Sequence, residues 1–329
     1  MCEAPVVTTS TLRPVRVPLS AFGPAFGLSG LAGTWTAAAH SLGAPAAVGA
    51  ALWLVATVTW VVTTARYLAR PGGPRAILAD LRHPAAGPFA ALFAIVGLLL
   101  GGRLVASAPR AGEIVVWTMA VVAVVFAAWF LAVALQGGGA LDAVHGGHLL
   151  PTVAAALISG QSLAVVGARH IAVGAWAVGI LFWIIVGTVI LARLAFRPPL
   201  PDALVPTLAI LSAPPAVAGN AWFALNGGTV DVVEELLLGT FVVLMLVQVF
   251  LVPRYARLTF GLSFWALTFT AASSATFALR WLVLTEPAGY RVWSWVVVAG
   301  ATGLIGWVAA RSVVLVVPKL RPRAQRLRE

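Results

Sequence analysis

The chain has 329 residues, of which 61% are hydrophobic and only 9% charged, with a mean hydropathy of +0.99. Soluble domains run at about 45–50% apolar and about 25% charged, so this balance excludes a soluble globular enzyme, a disordered chain and a nucleic-acid-binding protein. The net charge of +11 does not reopen the last of these, because the basic residues sit in short loops and at the C-terminal end, where they act as topology signals and meet anionic lipid headgroups.

An integral membrane protein remains. At about 20 apolar residues per spanning helix, the chain holds roughly ten or eleven spans. Residues 1–18 form a polar segment with Arg13 and Arg16, and no small-residue cleavage site follows a short apolar stretch, so this is read as a cytoplasmic N-terminal segment. Apolar runs then place spans at 19–40, 46–68, 87–108, 114–136, 149–168, 171–193, 203–226, 232–252, 258–282 and 291–317, one membrane domain over 19–317. Residues 318–329 are a basic cytoplasmic tail. Breaks fall at turn signals such as Pro71-Gly72-Gly73-Pro74, Gly137-Gly138-Gly139 and Asn226-Gly227-Gly228. Sixteen of the 21 Arg and Lys lie on the side that would hold both termini, which puts that side in the cytoplasm. Lys319 is the lone lysine, and with the Ala, Val and Gly richness this fits a GC-rich bacterium, hence an inner plasma membrane. Cys2 is the single cysteine, so no intrachain disulfide forms; no Cys/His cluster has zinc spacing, and neither metal nor cofactor is expected.

The odd-numbered spans differ from the even ones. Span 1 carries Gly23-Pro24, Gly27, Gly30 and Gly33, span 3 Gly97 and Gly101-Gly102, and span 5 Gly160-Gln161-Ser162. Span 7 carries Pro214-Pro215 and Gly219-Asn220, and span 9 Thr268, Thr270, Ser273, Ser274 and Thr276. Span 4, by contrast, runs from Val116 to Leu135 without Gly or Pro. Irregular backbone and hydroxyls at membrane depth are tolerated where they line a water-filled cavity or are buried in protein. The odd helices are therefore either an inner ring around a path or tightly packed through small residues; the pattern alone leaves both open.

The odd spans also resemble a known family. The segments are Phe22-Gly23-Pro24-Ala25-Phe26-Gly27-Leu28-Ser29-Gly30, Asp80-Leu81-Arg82-His83-Pro84 before span 3, His148-Leu149-Leu150-Pro151, Ser212-Ala213-Pro214-Pro215-Ala216 and Gly261-Leu262-Ser263-Phe264-Trp265-Ala266-Leu267-Thr268-Phe269. They resemble the tellurite-resistance/dicarboxylate transporters, related to the slow anion channels of plant guard cells. The resemblance implies an all-α membrane fold of ten transmembrane helices, arranged as five helical hairpins around a central pore with the odd-numbered helices inside, in a homotrimer. It also implies an aromatic plug on span 9, which by position is Phe269. The family often has Pro after this residue; here the position is Thr270.

Individual residues divide between structural and functional readings. Phe269 lies near the middle of the expected span 9, with Leu262, Trp265, Ser273 and Thr276 at helical spacing. The expected pore-lining set is Gly27, Gly101, Gly160, Pro214, Pro215, Thr268 and Ser273. Pro214-Pro215 removes two donors and bends span 7, with or without turning freed carbonyls to a path. His145 and His148 read as loop residues rather than a metal pair, and His83 as a helix-start residue. Glu234-Glu235 are expected at the outer interface, favoured by a helix N-terminus. Between the interfaces the spans carry Gln161, Asn220, Gln248 and hydroxyls but no ionisable side chain. Such residues mark proton relays, so their absence favours a passive route, which needs hydroxyls, amides and a favourable potential at its mouth.

The expected function is thus a channel or facilitator for small inorganic or organic anions, gated by an aromatic plug. A gradient-coupled exporter of C4-dicarboxylate, sulfite or tellurite is the alternative, and a non-transporting membrane scaffold or sensor a third. Catalytic residues are not expected, since no nucleophile–base pair stands in the spans. The partners are anions and membrane lipid.

Overall fold

The computed structural model describes residues 17–69 and 72–320. The N-terminal segment up to residue 16 and the basic tail from residue 321 lie outside the described residues. Among the described residues there is no strand. The helices in chain order are α1 (Gly23–Leu42), α2 (Ala46–Leu68), α3 (Gly73–Leu81), α4 (Ala91–Leu104), α5 (Pro109–Leu135), α6 (Ala155–Val165), α7 (Arg169–Phe196), α8 (Ala213–Leu225), α9 (Val232–Ala256), α10 (Trp265–Thr285) and α11 (Tyr290–Leu320). Among the described residues nine stretches, from Ala46–Leu68 to Tyr290–Leu315, are long and apolar enough to cross a membrane. The chain is therefore a multi-pass, all-helical membrane protein. The 20-residue α1 falls outside that set; its Gly, Ser and Thr residues dilute its apolarity.

One helix was not expected. The short α3 follows Gly72, whose φ of 106° only glycine adopts readily, and Pro74 sits in its first turn. None of its residues is buried, as suits a segment lying along an interface.

Packing sorts the remaining ten helices into two layers. α1 packs on α2, α4 on α5, α6 on α7, α8 on α9 and α10 on α11. A second set of contacts runs from α1 to α4, α6, α8, α10 and back to α1, closing a ring. Burial follows this division. In the segments ending in α4, α6, α8 and α10, 56–83% of the spanning window is buried, against 11–28% in α2, α5, α7, α9 and α11. The outer five present Leu54, Ile184, Val243 and Val314 outward, side chains that lipid tails solvate as well as a protein interior does. We call the end of the ring where α1 starts the near end, and the other the far end.

Each inner helix starts at the near end with a tightened or widened turn. The 3₁₀ turns are Leu19–Phe22, Gly87–Ala90, Gly146–Leu149, Val205–Ser212 and Leu262–Phe264, and a π turn, Leu150–Ala154, leads into α6. Such turns leave carbonyls without an α-helical partner, and at membrane depth another protein group must supply one. Along Val205–Ser212 that group is Gln248 of α9. Its Nε2 donates to the Leu208 carbonyl at 3.3 Å and to Ser212 Oγ, while Tyr255 donates its hydroxyl to Gln248 Oε1 at 2.8 Å. The far halves of the ring are tied in the same way. Thr34 Oγ1 donates to the Ala272 carbonyl at 3.0 Å, Ser162 Oγ to Leu98 at 3.1 Å, and Asn220 Nδ2 to Ser273 at 2.9 Å.

Asp231 starts α9 at the far end. Its carboxylate accepts from the backbone N–H of Val233 at 3.0 Å and of Glu234 at 3.1 Å, from Trp222 Nε1 at 2.8 Å and from Asn226 Nδ2 at 3.2 Å. Burial pushes this carboxyl up, but the four donors together hold it below its ordinary value. A carboxylate depressed in the fold adds stability that is present above its unfolded pKa and lost as pH falls through the folded one. Asp231→Ala should therefore cost about 1 kcal/mol at neutral pH. In thermal melts the deficit against wild type should shrink as the pH drops below the ordinary value of 3.8.

Phe277 of α10 is fully buried and inserts against Gly219 of α8, where an added Cβ would collide with its ring. Phe223 and Phe241 hold that ring from other sides, with centroids at 6.1 and 5.3 Å. Helix propensity favours Gly→Ala by about 1 kcal/mol, but overpacking costs about 1–3 kcal/mol, and Phe277 has nowhere to move. Gly219→Ala should lower the melting temperature in detergent. Gly239→Ala, where an added Cβ meets nothing within 4 Å, should hold or raise it.

Candidate functional site

Two cavities lie end to end inside the ring. The near cavity, of about 340 Å³, is walled by Phe26, Phe89, Leu150, Ile210 and Trp265, with His83 and Thr207 also in its wall. The far vestibule, of about 270 Å³, carries His40, Arg103, Gln161, Asn220, Ser273 and Arg280. Val217 and Phe269 are the two residues that line both.

Phe269 stands a little over one turn into α10, closer to the near end than expected because the chain becomes helical only at Leu262. Its side chain is 8% exposed. The ring stacks on Phe26 of α1 with centroids 3.6 Å apart and planes 12° apart. Across from it, a Cβ on Gly30 would lie 2.9 Å from Phe269 Cδ2, so the ring occupies the room a side chain would fill. The neighbouring hydroxyls turn elsewhere. Thr268 donates to the Trp265 carbonyl at 2.7 Å, and Thr270 donates to the Ala209 carbonyl at 3.2 Å.

Of the expected lining residues, Ser273 faces the far vestibule. Gly27, Gly101, Gly160, Pro214, Pro215 and Thr268 line neither cavity. Gly27 and Thr268 face each other across the α1–α10 contact, where a Cβ on Gly27 would meet the Thr268 side chain. A Cβ on Gly101 would lie 2.9 Å from Val115, and one on Gly160 3.0 Å from the Ala172 carbonyl. These residues bring helices close together, the packing alternative of the sequence pattern. Pro214 and Pro215 do not bend a continuous helix either. They occupy the first turn of α8, after the 3₁₀ segment, where a missing N–H costs nothing.

The histidines near the near end are structural. His145 is fully buried; its Nδ1 accepts from Gly147 N at 3.1 Å and its Nε2 reaches the Ala85 carbonyl at 2.9 Å. That pair of contacts assigns the neutral tautomer with the proton on Nε2. Burial holds its pKa below the ordinary value. His148 closes the same turn through His145 N at 3.2 Å. His83 accepts from the backbone N–H of Ala85 at 3.2 Å and Ala86 at 3.1 Å, the helix-start role expected. Among the described residues no cluster of His, Cys, Asp or Glu could hold a metal.

The ionisable side chains depart from expectation. Glu234 and Glu235 stand in the first turn of α9, as expected, but Glu234 is buried among its neighbours, both its oxygens lacking a hydrogen-bond partner, while Glu235 is exposed. Arg103 and Arg280 face the far vestibule. Two signals were available in the sequence. Phe26 is the aromatic residue between Gly23 and Gly33 of span 1, and positions 269, 273, 276 and 280 share one helical face. All four of the latter line the far vestibule.

A family model described as voltage-dependent anion channel matches residues 16–313. The chain is also 26% identical over 275 residues to the tellurite resistance protein TehA homolog of Haemophilus influenzae, an alignment covering 83% of this chain and 84% of that protein. The family match takes in the whole inner ring, both cavities and Phe269. The family is described as one of channels, not of enzymes. By the extent of that match, the chain belongs to the voltage-dependent anion channel family.

Proposed function

We propose that this protein passes small anions passively across the plasma membrane, along a path through the ring of α1, α4, α6, α8 and α10 that Phe269 plugs. Ten spans in five hairpins, with both termini in the cytoplasm, complete the reading. The observation that carries it is the meeting of two cavities at one aromatic ring, backed by Val217. A ring across a narrow passage blocks it sterically and keeps water out, so an anion arriving there would lose its hydration without replacement. The charge distribution supports anions over cations: the far vestibule is lined by Arg103, Arg280 and His40 and by no carboxylate. Neither cavity is lined by a carboxylate that could relay a proton, which supports conduction without a coupled proton.

Phe269→Ala should raise anion flux per folded protein in liposomes by about tenfold or more, the effect of about 1.4 kcal/mol off the barrier. Phe277→Ala is the control. It removes a ring from the same helix that touches no path, and should lower thermal stability more than Phe269→Ala while leaving flux unchanged. Equal flux from wild type and Phe269→Ala would remove the plug. Flux that follows a pH gradient rather than membrane potential would favour a coupled exporter.

Orientation has its own test. A tag after residue 329 should resist a non-permeant label in intact cells and react in inside-out vesicles.

A further inference from the structure

We propose that Arg280 forms an oxyanion-binding site in the far vestibule, a waiting position for the anion beyond the plug. This rests on the reading of the ring interior as an anion path and names the group that first holds the anion at one end of it.

A guanidinium has five N–H donors in a fixed fork. Arg280 engages one nitrogen: Nη1 donates to the Asn220 carbonyl at 3.0 Å. Among the described residues, its Nε and Nη2 make no hydrogen bond, and neither is sealed from solvent as the unpartnered Nε and Nη1 of Arg193 are. The bond to Asn220 fixes the plane of the group and leaves free the edge formed by Nε and Nη2. That edge receives two oxygens of one anion in parallel hydrogen bonds, the strong bidentate arrangement.

The free donors have, among the described residues, no carboxylate bonded to them, although a buried one stands within electrostatic reach. Among the described residues no carboxylate lies within ion-pairing distance of Arg280. Glu234 is the carboxylate in electrostatic reach, yet it makes no hydrogen bond to the guanidinium. The Phe223 ring stands 5.8 Å from Cζ, an apolar wall that does not compete for donors. Arg103 and His40 share the vestibule and add to the attraction. Arg280 also borders a second opening lined by Ser41, Gly227 and Gly228, so it stands between the vestibule and the far side. The ligand class follows from the fork: a small anion with an O–X–O edge, such as nitrate, sulfite, tellurite or a carboxylate, held in preference to a spherical halide.

The test has two arms. In the first, nitrate flux is measured against nitrate concentration in liposomes carrying Phe269→Ala, alone and combined with Arg280→Gln or Arg280→Lys. Arg280→Gln should raise the half-saturating concentration about tenfold. Arg280→Lys, which keeps the charge but loses the fork, should fall between and lose the preference for nitrate over chloride. A folded Arg280→Gln protein whose half-saturation and selectivity match the parent would overturn the site. The second arm uses the wild-type protein and depends neither on the plug nor on how the variants fold. Phenylglyoxal labelling is mapped by mass spectrometry in nitrate and in gluconate at equal ionic strength. Nitrate should slow labelling at Arg280 and leave exposed Arg291 unchanged; equal rates at Arg280 would overturn the proposal. If Phe269→Ala fails to conduct while Arg280 is protected, the plug fails and the site stands.

Discussion

Everything in this bundle answers to one constraint: at membrane depth no water is available for a backbone N–H or C=O, so each must find a partner inside the protein. The outer helices meet it by being long, regular and apolar, as in the 27-residue α5 and the 28-residue α7. The inner helices do not, because each begins in a turn of different pitch. Their stability is borrowed from polar side chains on neighbours. Gln248 serves the 3₁₀ segment before α8, Trp176 Nε1 donates to the Ala218 carbonyl at 3.0 Å, and Trp60 Nε1 to Phe93 at 3.0 Å. These three donors come from outer helices, so the outer layer both faces lipid and ties down the inner ring, Gln248 at a 3₁₀ segment and the two tryptophans within α8 and α4.

The same economy governs the interior surface. Glycines at Gly27, Gly101 and Gly160 face partner helices rather than the cavities, so small residues set how close the walls stand. The cavities are left to bulkier and more polar groups. Gly30 belongs to both roles: it lines the far vestibule and supplies the recess into which Phe269 fits. The position of Phe269 thus follows from a residue on a different helix that has no side chain at all.

Much of the fold was legible because length and apolarity are direct consequences of the bilayer. Runs such as 46–68 and 203–226 stand out in any hydropathy reading, and their turn signals fall close to where the helices end. What stayed hidden depends on direction rather than composition. A glycine says that something comes close, without saying whether it is a helix or a passing ion. Pro214-Pro215 reads as a bend until the preceding 3₁₀ segment shows that a helix starts there. Span 9 was drawn four residues early because Leu258 and Phe260 are apolar, although they pack from a loop. Arg280 lies near the end of α10, and only its place three turns beyond Phe269, on the same face, brings it into the vestibule.

The two compartments beside Phe269 are not alike, and if the proposed path runs through them the difference gives it a direction. On one side the chamber is walled almost wholly by carbon, and an anion there has little to rest on. On the other, two guanidinium groups and an imidazole face the space. An ion driven toward the plug from the charged side starts from a well; one driven the opposite way starts from a slope. On the proposed reading, with the plug displaced, equal and opposite voltages would carry unequal currents, and a channel built this way would rectify without any moving part beyond a single ring.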